Sequence, residues 1–229
     1  MTNPVALITG ASGGLGVPVT EMFLGAGFRV TAVSRHWPAI LSTASDPAVL
    51  RLEADAATVA GATLAVQSTL TRFGQIDALI HLVGAFAGGD GIAETTPETW
   101  LKMMQVNCWT AVQMMGAAIP PMRAAGRGRI VVIGSEAALN PPSHYAAYAA
   151  SKAALLAVVR SAAAELKGSG VTVNAILPGT IDTVANRQAM GPSNAAKWVQ
   201  PDSIGSLLLW LCSDAGRDVT GALIPMEGR

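Results

Sequence analysis

Tyr148 and Lys152 stand four residues apart in Tyr148-Ala-Ala-Ser-Lys152, inside a stretch of helical character. Residues at this spacing share one helix face, a turn apart, so a phenol and an ammonium can point into one site. Free tyrosine titrates near pH ~10, and a fixed positive charge beside it favours the phenolate by roughly 1.4 kcal/mol for each pKa unit. The pair therefore predicts a phenol of lowered pKa that exchanges a proton with a carbonyl or alcohol oxygen, provided a hydride carrier serves the carbon. The chain has only four lysines, which makes the spacing uncommon by chance.

A place for such a carrier lies near the N-terminus. Thr9-Gly10-Ala11-Ser12-Gly13-Gly14-Leu15-Gly16 follows an apolar run and opens a helix. Gly10 allows a tight turn, Gly14 lets backbone approach a pyrophosphate, and Gly16 lets helix pack closely on strand. With Ser12 and Leu15 at its mouth, the helix offers free N–H donors and a partial positive charge to an anion. After the second strand comes Ser34-Arg35-His36, where an acid would bind the ribose hydroxyls of NAD. Arg35 can hold a phosphate bidentately, with Ser34 as hydroxyl partner. NADP(H) is the expected cofactor, and NAD(H) the weaker alternative.

These residues need a scaffold, and the chain alternates strand-like and helix-like segments throughout. Strands are expected at Val5–Thr9, Phe28–Val33, Val49–Glu53, Asp77–Val83, Arg129–Ile133, Val171–Leu177 and Ala222–Pro225. Helices are expected at Leu15–Gly25, Ala56–Phe73, Pro97–Met122 with an interruption allowed, Tyr145–Lys167 and Ser203–Cys212. Thr180–Gln200, with Gly191, Pro192 and Pro201 in or beside it, reads as either a flexible lid or a short helical insert. Strands separated by helices imply an α/β fold: one doubly wound parallel sheet (a Rossmann fold) with helices on both faces, in a single domain over residues 1–229.

Composition narrows the function. Of 229 residues, 51% are hydrophobic and 13% charged, and fifteen basic side chains balance fifteen acidic ones. No net field draws nucleic acid or an anionic membrane. Cys108 and Cys212 read as free thiols in a reducing compartment. The chain enters a strand at Pro4-Val5 with no basic and apolar leader, and no apolar run approaches the ~20 residues of a membrane span. A cytoplasmic protein acting on a small molecule is expected.

The glycine spacing, Gly-x-x-x-Gly-x-Gly, resembles the short-chain dehydrogenase/reductase family, and the resemblance covers essentially the whole chain. It implies an Asn–Ser–Tyr–Lys tetrad of Asn107, Ser135, Tyr148 and Lys152. Ser135 ends the fifth strand thirteen residues before Tyr148, the family's usual separation. Its hydroxyl would hold the substrate oxygen against the phenol, and Asn107 would support a water-mediated proton relay from Lys152. The Lys152 side chain would also bond the nicotinamide ribose. Pro178-Gly179-Thr180 matches the family motif beside the nicotinamide, where Thr180 or Thr183 would bond the carboxamide or pyrophosphate. Asp55 and Ala56 match the position that caps the adenine, although Asp55 equally suits the N-cap of the next helix. In His81-Leu82-Val83-Gly84 the family glycine is retained at Gly84, whereas the usual first asparagine is His81, read as structural. Many NADP-using relatives carry a base where this chain has Gly13. Family members commonly form tetramers, so a homo-oligomer is expected, tetramer before dimer.

Local segments resemble dihydropteridine reductases, notably Gly84-Ala85-Phe86-Ala87-Gly88-Gly89 and Leu177-Pro178-Gly179-Thr180-Ile181-Asp182-Thr183, with Asn186, Arg187 and Met190. Those enzymes generally lack the tetrad serine and asparagine and carry an acid suited to NADH. Carbonyl reduction or alcohol oxidation is thus the expected activity, quinonoid pterin reduction the runner-up, and NADP(H) binding without turnover a third reading. Phe86, Glu136, His144, Tyr145, Met190 and Trp198 are candidate substrate contacts, mostly apolar as in small-ligand pockets.

Overall fold

A computed structural model describes residues 3–37 and 46–228. In chain order its elements are β1 (Val5–Thr9), α1 (Gly16–Gly25), β2 (Arg29–Ser34), β3 (Val49–Glu53), α2 (Val59–Phe73), β4 (Ala78–His81), α3 (Pro97–Met104), α4 (Thr110–Ala124), β5 (Gly128–Ile133), α5 (Ala146–Glu165), β6 (Val171–Pro178), α6 (Val184–Met190), α7 (Pro201–Cys212) and β7 (Leu223–Met226). All neighbouring strands pair in parallel, in the order β3-β2-β1-β4-β5-β6-β7. The doubly wound α/β sheet expected from the alternation is present.

Period-two alternation along the strands feeds two cores. Leu7, Leu79, Ile130 and Val132 point to one face, where they meet Ala65 of α2, Met114 of α4 and Leu155 of α5. Ala6, Ile8, Ile80 and Val131 point to the other, against Val19 and Phe23 of α1 and Leu208 of α7. β1 and β6 are buried over their whole length; β1 is apolar up to Thr9, and β6 is apolar but for Thr172 and Asn174. Between β1 and β4 the strand order reverses direction. In open α/β sheets ligands bind at that switch point, outside the carboxyl ends of the strands.

Three local features settle points that the sequence reading left open. The helical stretch from Pro97 is divided by a π turn at Gln105–Trp109, which carries Asn107. Such turns are rare and concentrate at functional sites. The N-cap of α2 is Thr58, whose hydroxyl accepts from Gly61 N–H at 3.0 Å. Asp55 instead closes a short turn on Ala57 N–H at 2.9 Å. The segment after β6 takes the helical alternative: α6 and a 3-10 turn at Pro192–Lys197. An Ile181–Val199 bridge closes its neck, and Asp182 there accepts from Arg187. No helix among the described residues is long and apolar enough to cross a membrane.

Candidate active site

The turn after β1 is built as its glycines require. Gly10 has φ 73°, a left-handed conformation that favours glycine, and a Cβ there would press on the Leu82 backbone at 3.1 Å. At Gly16 a Cβ would collide with the Gly10 carbonyl and Ala11, so α1 packs onto the turn itself. Gly14 lies under Thr183, whose Cβ would be 3.1 Å from an added methyl. Thr183 thus closes over the turn while its hydroxyl caps α6 by accepting from Asn186 N–H at 3.2 Å. Leu15 precedes α1 and packs against the core on that face. Ser34 is buried, and its hydroxyl accepts from Ser12 N–H at 2.9 Å, holding the turn to β2.

From this turn a groove of about 430 Å³ runs over the strand ends. Gly10, Ser12, Ser34, Arg35, Asp55, Ala56 and Gly84 line it, together with His36 and Gln105. Arg35 is exposed and makes no ion pair among the described residues. A feature that the motif reading missed lies beside it. Parallel pairing sets Glu53 of β3 against Ser34, and its carboxylate is 3.9 Å from His36 Nδ1. An acid thus stands across the strand pair from Ser34 and beside His36, and only the register reveals it.

The four tetrad positions converge beyond β4, β5 and α5. Lys152 is 4% exposed, and its ammonium donates to the Ile133 carbonyl at 2.8 Å. Burial pushes its pKa from 10.5 down to about 8. Asn107 is fully buried and clasps the chain after β4: Oδ1 accepts from Ala85 N–H at 2.8 Å, and Nδ2 donates to Ala85 O at 3.0 Å. Nδ2 also donates to Ser151 Oγ at 3.0 Å, and that hydroxyl bonds back to the Tyr148 carbonyl at 2.7 Å. Gly84 lies between the groups, since a Cβ there would be 3.2 Å from both Asn107 Oδ1 and Lys152 Nζ. Any larger residue would push into the lysine.

Tyr148 departs from the expectation of a lowered pKa. Burial raises it, and the neighbouring Ser135 hydroxyl opposes the rise only in part. The expected helper is turned away: the Lys152 ammonium faces the Ile133 carbonyl and is itself pushed towards neutrality. Phe86 and Tyr145 stand edge-on to the phenol ring and to each other, with Phe86 centroids 5.1 Å from Tyr148 and 4.8 Å from Tyr145.

Comparison with known proteins agrees with this geometry. The family model for short chain dehydrogenase matches residues 4–192. The chain belongs to the short-chain dehydrogenase family. A 2-(R)-hydroxypropyl-CoM dehydrogenase of Xanthobacter autotrophicus is 36% identical, over 98% of this chain and 97% of that one. A 3-oxoacyl-[acyl-carrier-protein] reductase of rhamnolipid biosynthesis in Pseudomonas aeruginosa is 30% identical, over 100% and 96%. Among solved structures, a 3-ketoacyl-(acyl-carrier-protein) reductase from Brucella melitensis complexed with NADH superposes with TM-score 0.91 at 26% identity, covering 99% and 98% of the two chains.

Within the short-chain dehydrogenase frame, His81 is the main departure. It is 1% exposed and bridges Thr9 Oγ1 at 2.8 Å and Thr110 Oγ1 at 3.0 Å. Thr110 already donates to Val106 O, so it accepts from His81 Nε2, which leaves Nδ1 to accept from Thr9. Burial, with the nearby Lys152 charge, holds the imidazole neutral with a pKa of about 3. It ties β4 to β1 and α4. Pro178 ends β6, Gly179 N–H donates to Met226 O at 3.0 Å, and the Thr180 carbonyl accepts from Val199 N–H at 2.8 Å. The Thr180 and Thr183 positions therefore anchor the segment leading to α6.

Proposed function

We propose that this short-chain dehydrogenase is an NADP(H)-preferring oxidoreductase that interconverts a carbonyl and an alcohol, with Tyr148 as general acid and base. The observation that carries this reading is the convergence of Ser135, Tyr148, Lys152 and Asn107 at the strand ends, beside a glycine turn with no room for side chains. Single-domain organisation over residues 1–229 is part of the same reading.

The groove fits a dinucleotide on its own terms. The left-handed Gly10, the crowding at Gly16 and the groove lined by Ser12, Arg35, Asp55 and Ala56 leave backbone N–H groups open to a pyrophosphate. Arg35 supplies the cation for a 2′-phosphate, tempered by Glu53 across the strand pair. Gly84, Pro178, Gly179, Thr180 and Thr183 border the nicotinamide end. When bound, the nicotinamide donates or accepts hydride at the substrate carbon.

The protein's own residues handle the proton. Ser135 holds the substrate oxygen towards the phenol, and Tyr148 gives a proton to a developing alkoxide or takes one from an alcohol. Its raised pKa keeps that proton on the phenol at neutral pH, which suits the acid role in reduction. Lys152, pinned at Ile133, fixes the ammonium below Gly84 and replenishes the proton, while Asn107 keeps the Ala85 peptide and Ser151 in register. Exposed Leu101, Met104 and Trp109 on α3 and the π turn support a homo-oligomer, tetramer before dimer. Free Cys108 and Cys212 support a reducing, cytoplasmic setting.

The test is NADPH oxidation across a panel of ketones, diketones and quinonoid dihydropterin. Ketone turnover supports the reading, turnover of the pterin alone replaces it with pterin reduction, and binding of NADPH without any turnover removes catalysis.

A further inference from the structure

Glu136 is an ionisable group at the site that the proposed mechanism leaves without a role. It follows Ser135 directly and begins a 3-10 turn, Glu136–Ala138, whose N-cap is the Ser135 side chain. The turn sends the Glu136 side chain across the gap between the ends of β5 and β6. A Cβ on Gly179 would lie 3.7 Å from its Oε2. The residue is half-buried, yet its carboxylate has no hydrogen-bond donor and no cation among the described residues. A carboxylate that no protein donor satisfies is open to an N–H or O–H of a ligand.

The surroundings determine which ligand could do so. Lys152 is buried and spent on the Ile133 carbonyl, and Arg187 is held bidentately by Asp182. Arg35 lies at the far, adenosine end of the groove. Among the described residues, none of these cations is free to offset Glu136 near Ser135. Beside Tyr148 the site is aromatic. Phe86, 56% exposed, joins Tyr145 and Tyr148 in a cluster of three edge-on rings. Its loop has no slack, since a Cβ on Gly88 would press on Phe86 and Tyr145. His144 is held at φ 65°, where its carbonyl accepts from Gly89 N–H at 3.0 Å. A non-glycine residue kept in that region marks a wall fixed against its own preference.

We infer that Glu136 sets the charge specificity of the site: it accepts from an N–H or O–H donor a few bonds from the reacting carbon, and it excludes carbonyl compounds bearing carboxylate, phosphate or sulfonate. The preferred substrates are flat, neutral or cationic ketones and their alcohols, with the ring against Phe86 and Tyr145. This rests on the carbonyl–alcohol reading above and adds the substrate class.

The experiment uses three acetophenones of matched size, bearing a hydroxymethyl, an aminomethyl or a carboxylate group. It compares kcat/KM for wild type, Glu136→Gln and Glu136→Asp. In parallel, dissociation constants of the same ketones are measured on the NADPH complex of Tyr148→Phe, with and without Glu136→Gln, so that recognition is read without turnover. Wild type should favour the aminomethyl over the carboxylate compound at least tenfold, through KM. Glu136→Gln should bring the ratio within about twofold, whereas Glu136→Asp should retain discrimination. The dissociation constants should follow the same ratios. If wild type turns over no ketone while those ratios hold, the carbonyl–alcohol reading fails and the assignment of Glu136 stands. Unchanged ratios in Glu136→Gln overturn the assignment. So does a change confined to the dissociation constants of NADPH and NADP, which would make the carboxylate a cofactor contact.

Discussion

The Lys152 ammonium donates to the Ile133 carbonyl at 2.8 Å, so one buried bond ties α5 to the end of the strand that delivers Ser135. The bond constrains how stability depends on pH. With a pKa of about 8 in the fold against 10.5 ordinarily, Lys152 loses its proton in the folded protein while the unfolded chain still holds it. Between those values the unfolded state binds more protons, so this residue makes stability rise with pH, by on the order of 3 kcal/mol in full. Thermal unfolding of the cofactor-free protein from pH 7 to 10.5 should show this rise, and Lys152→Met should remove it. Parallel curves for the two proteins would contradict the burial of a charged lysine.

Tyr148→Phe should leave NADPH binding nearly unchanged and lower turnover by about 10²–10⁴, the range for a lost general acid. Because the phenol pKa is raised, ketone reduction should be flat through neutral pH. Alcohol oxidation, which needs the phenolate, should climb about tenfold for each pH unit. Steady-state profiles in both directions check this, and a Tyr148→Phe enzyme retaining most of its activity would remove the mechanism.

Arg35→Ala should raise the KM for NADPH ten- to hundredfold and leave that for NADH almost unchanged, since one charge-assisted hydrogen bond is worth roughly 1.5–3 kcal/mol. Glu53→Gln should act oppositely and increase the NADPH preference, because it removes the carboxylate facing Ser34 and His36. Equal effects on both coenzymes would show that Arg35 does not read the phosphate.

His81 makes the fold acid-sensitive. Its pKa of about 3, against 6.5 ordinarily, means that its stabilising contribution is complete above pH 6.5 and is lost as pH falls towards 3. Each pH unit in that window should cost about 1.4 kcal/mol. His81→Asn, which can still bond Thr9, should flatten the decline by that slope in urea unfolding at pH 4.5 and 7. The same difference between the two pH values in both proteins would falsify the assignment.

Light scattering at micromolar concentration should give a mass well above the 23.4 kDa of one chain, closer to four copies than two. A monomer would leave Leu101, Met104 and Trp109 as uncovered apolar surface and refute the oligomer.

Local chemistry explains what could be read without a structure. Val5–Thr9 and Val171–Leu177 announce buried strands because both sheet faces are covered, so apolar residues dominate both, interrupted only by Thr9, Thr172 and Asn174. The glycine turn and the Tyr148–Lys152 spacing are legible because each is set by a few consecutive residues, where one φ angle or one helical turn fixes the geometry. The family resemblance then supplied Asn107 and Ser135, which neither periodicity nor spacing singles out.

Tertiary packing decided the rest, because it depends on residues far apart in the chain. The parallel register put Glu53 across from Ser34 and beside His36, a neighbourhood that the residues after β2 do not announce. Desolvation reversed the expected shift of Tyr148, since the helix that aligns phenol and ammonium also buries both and turns the ammonium to Ile133. A sequence shows that two charges can be near each other. Only the surrounding protein fixes how much water each keeps, and that determines the sign of a pKa shift.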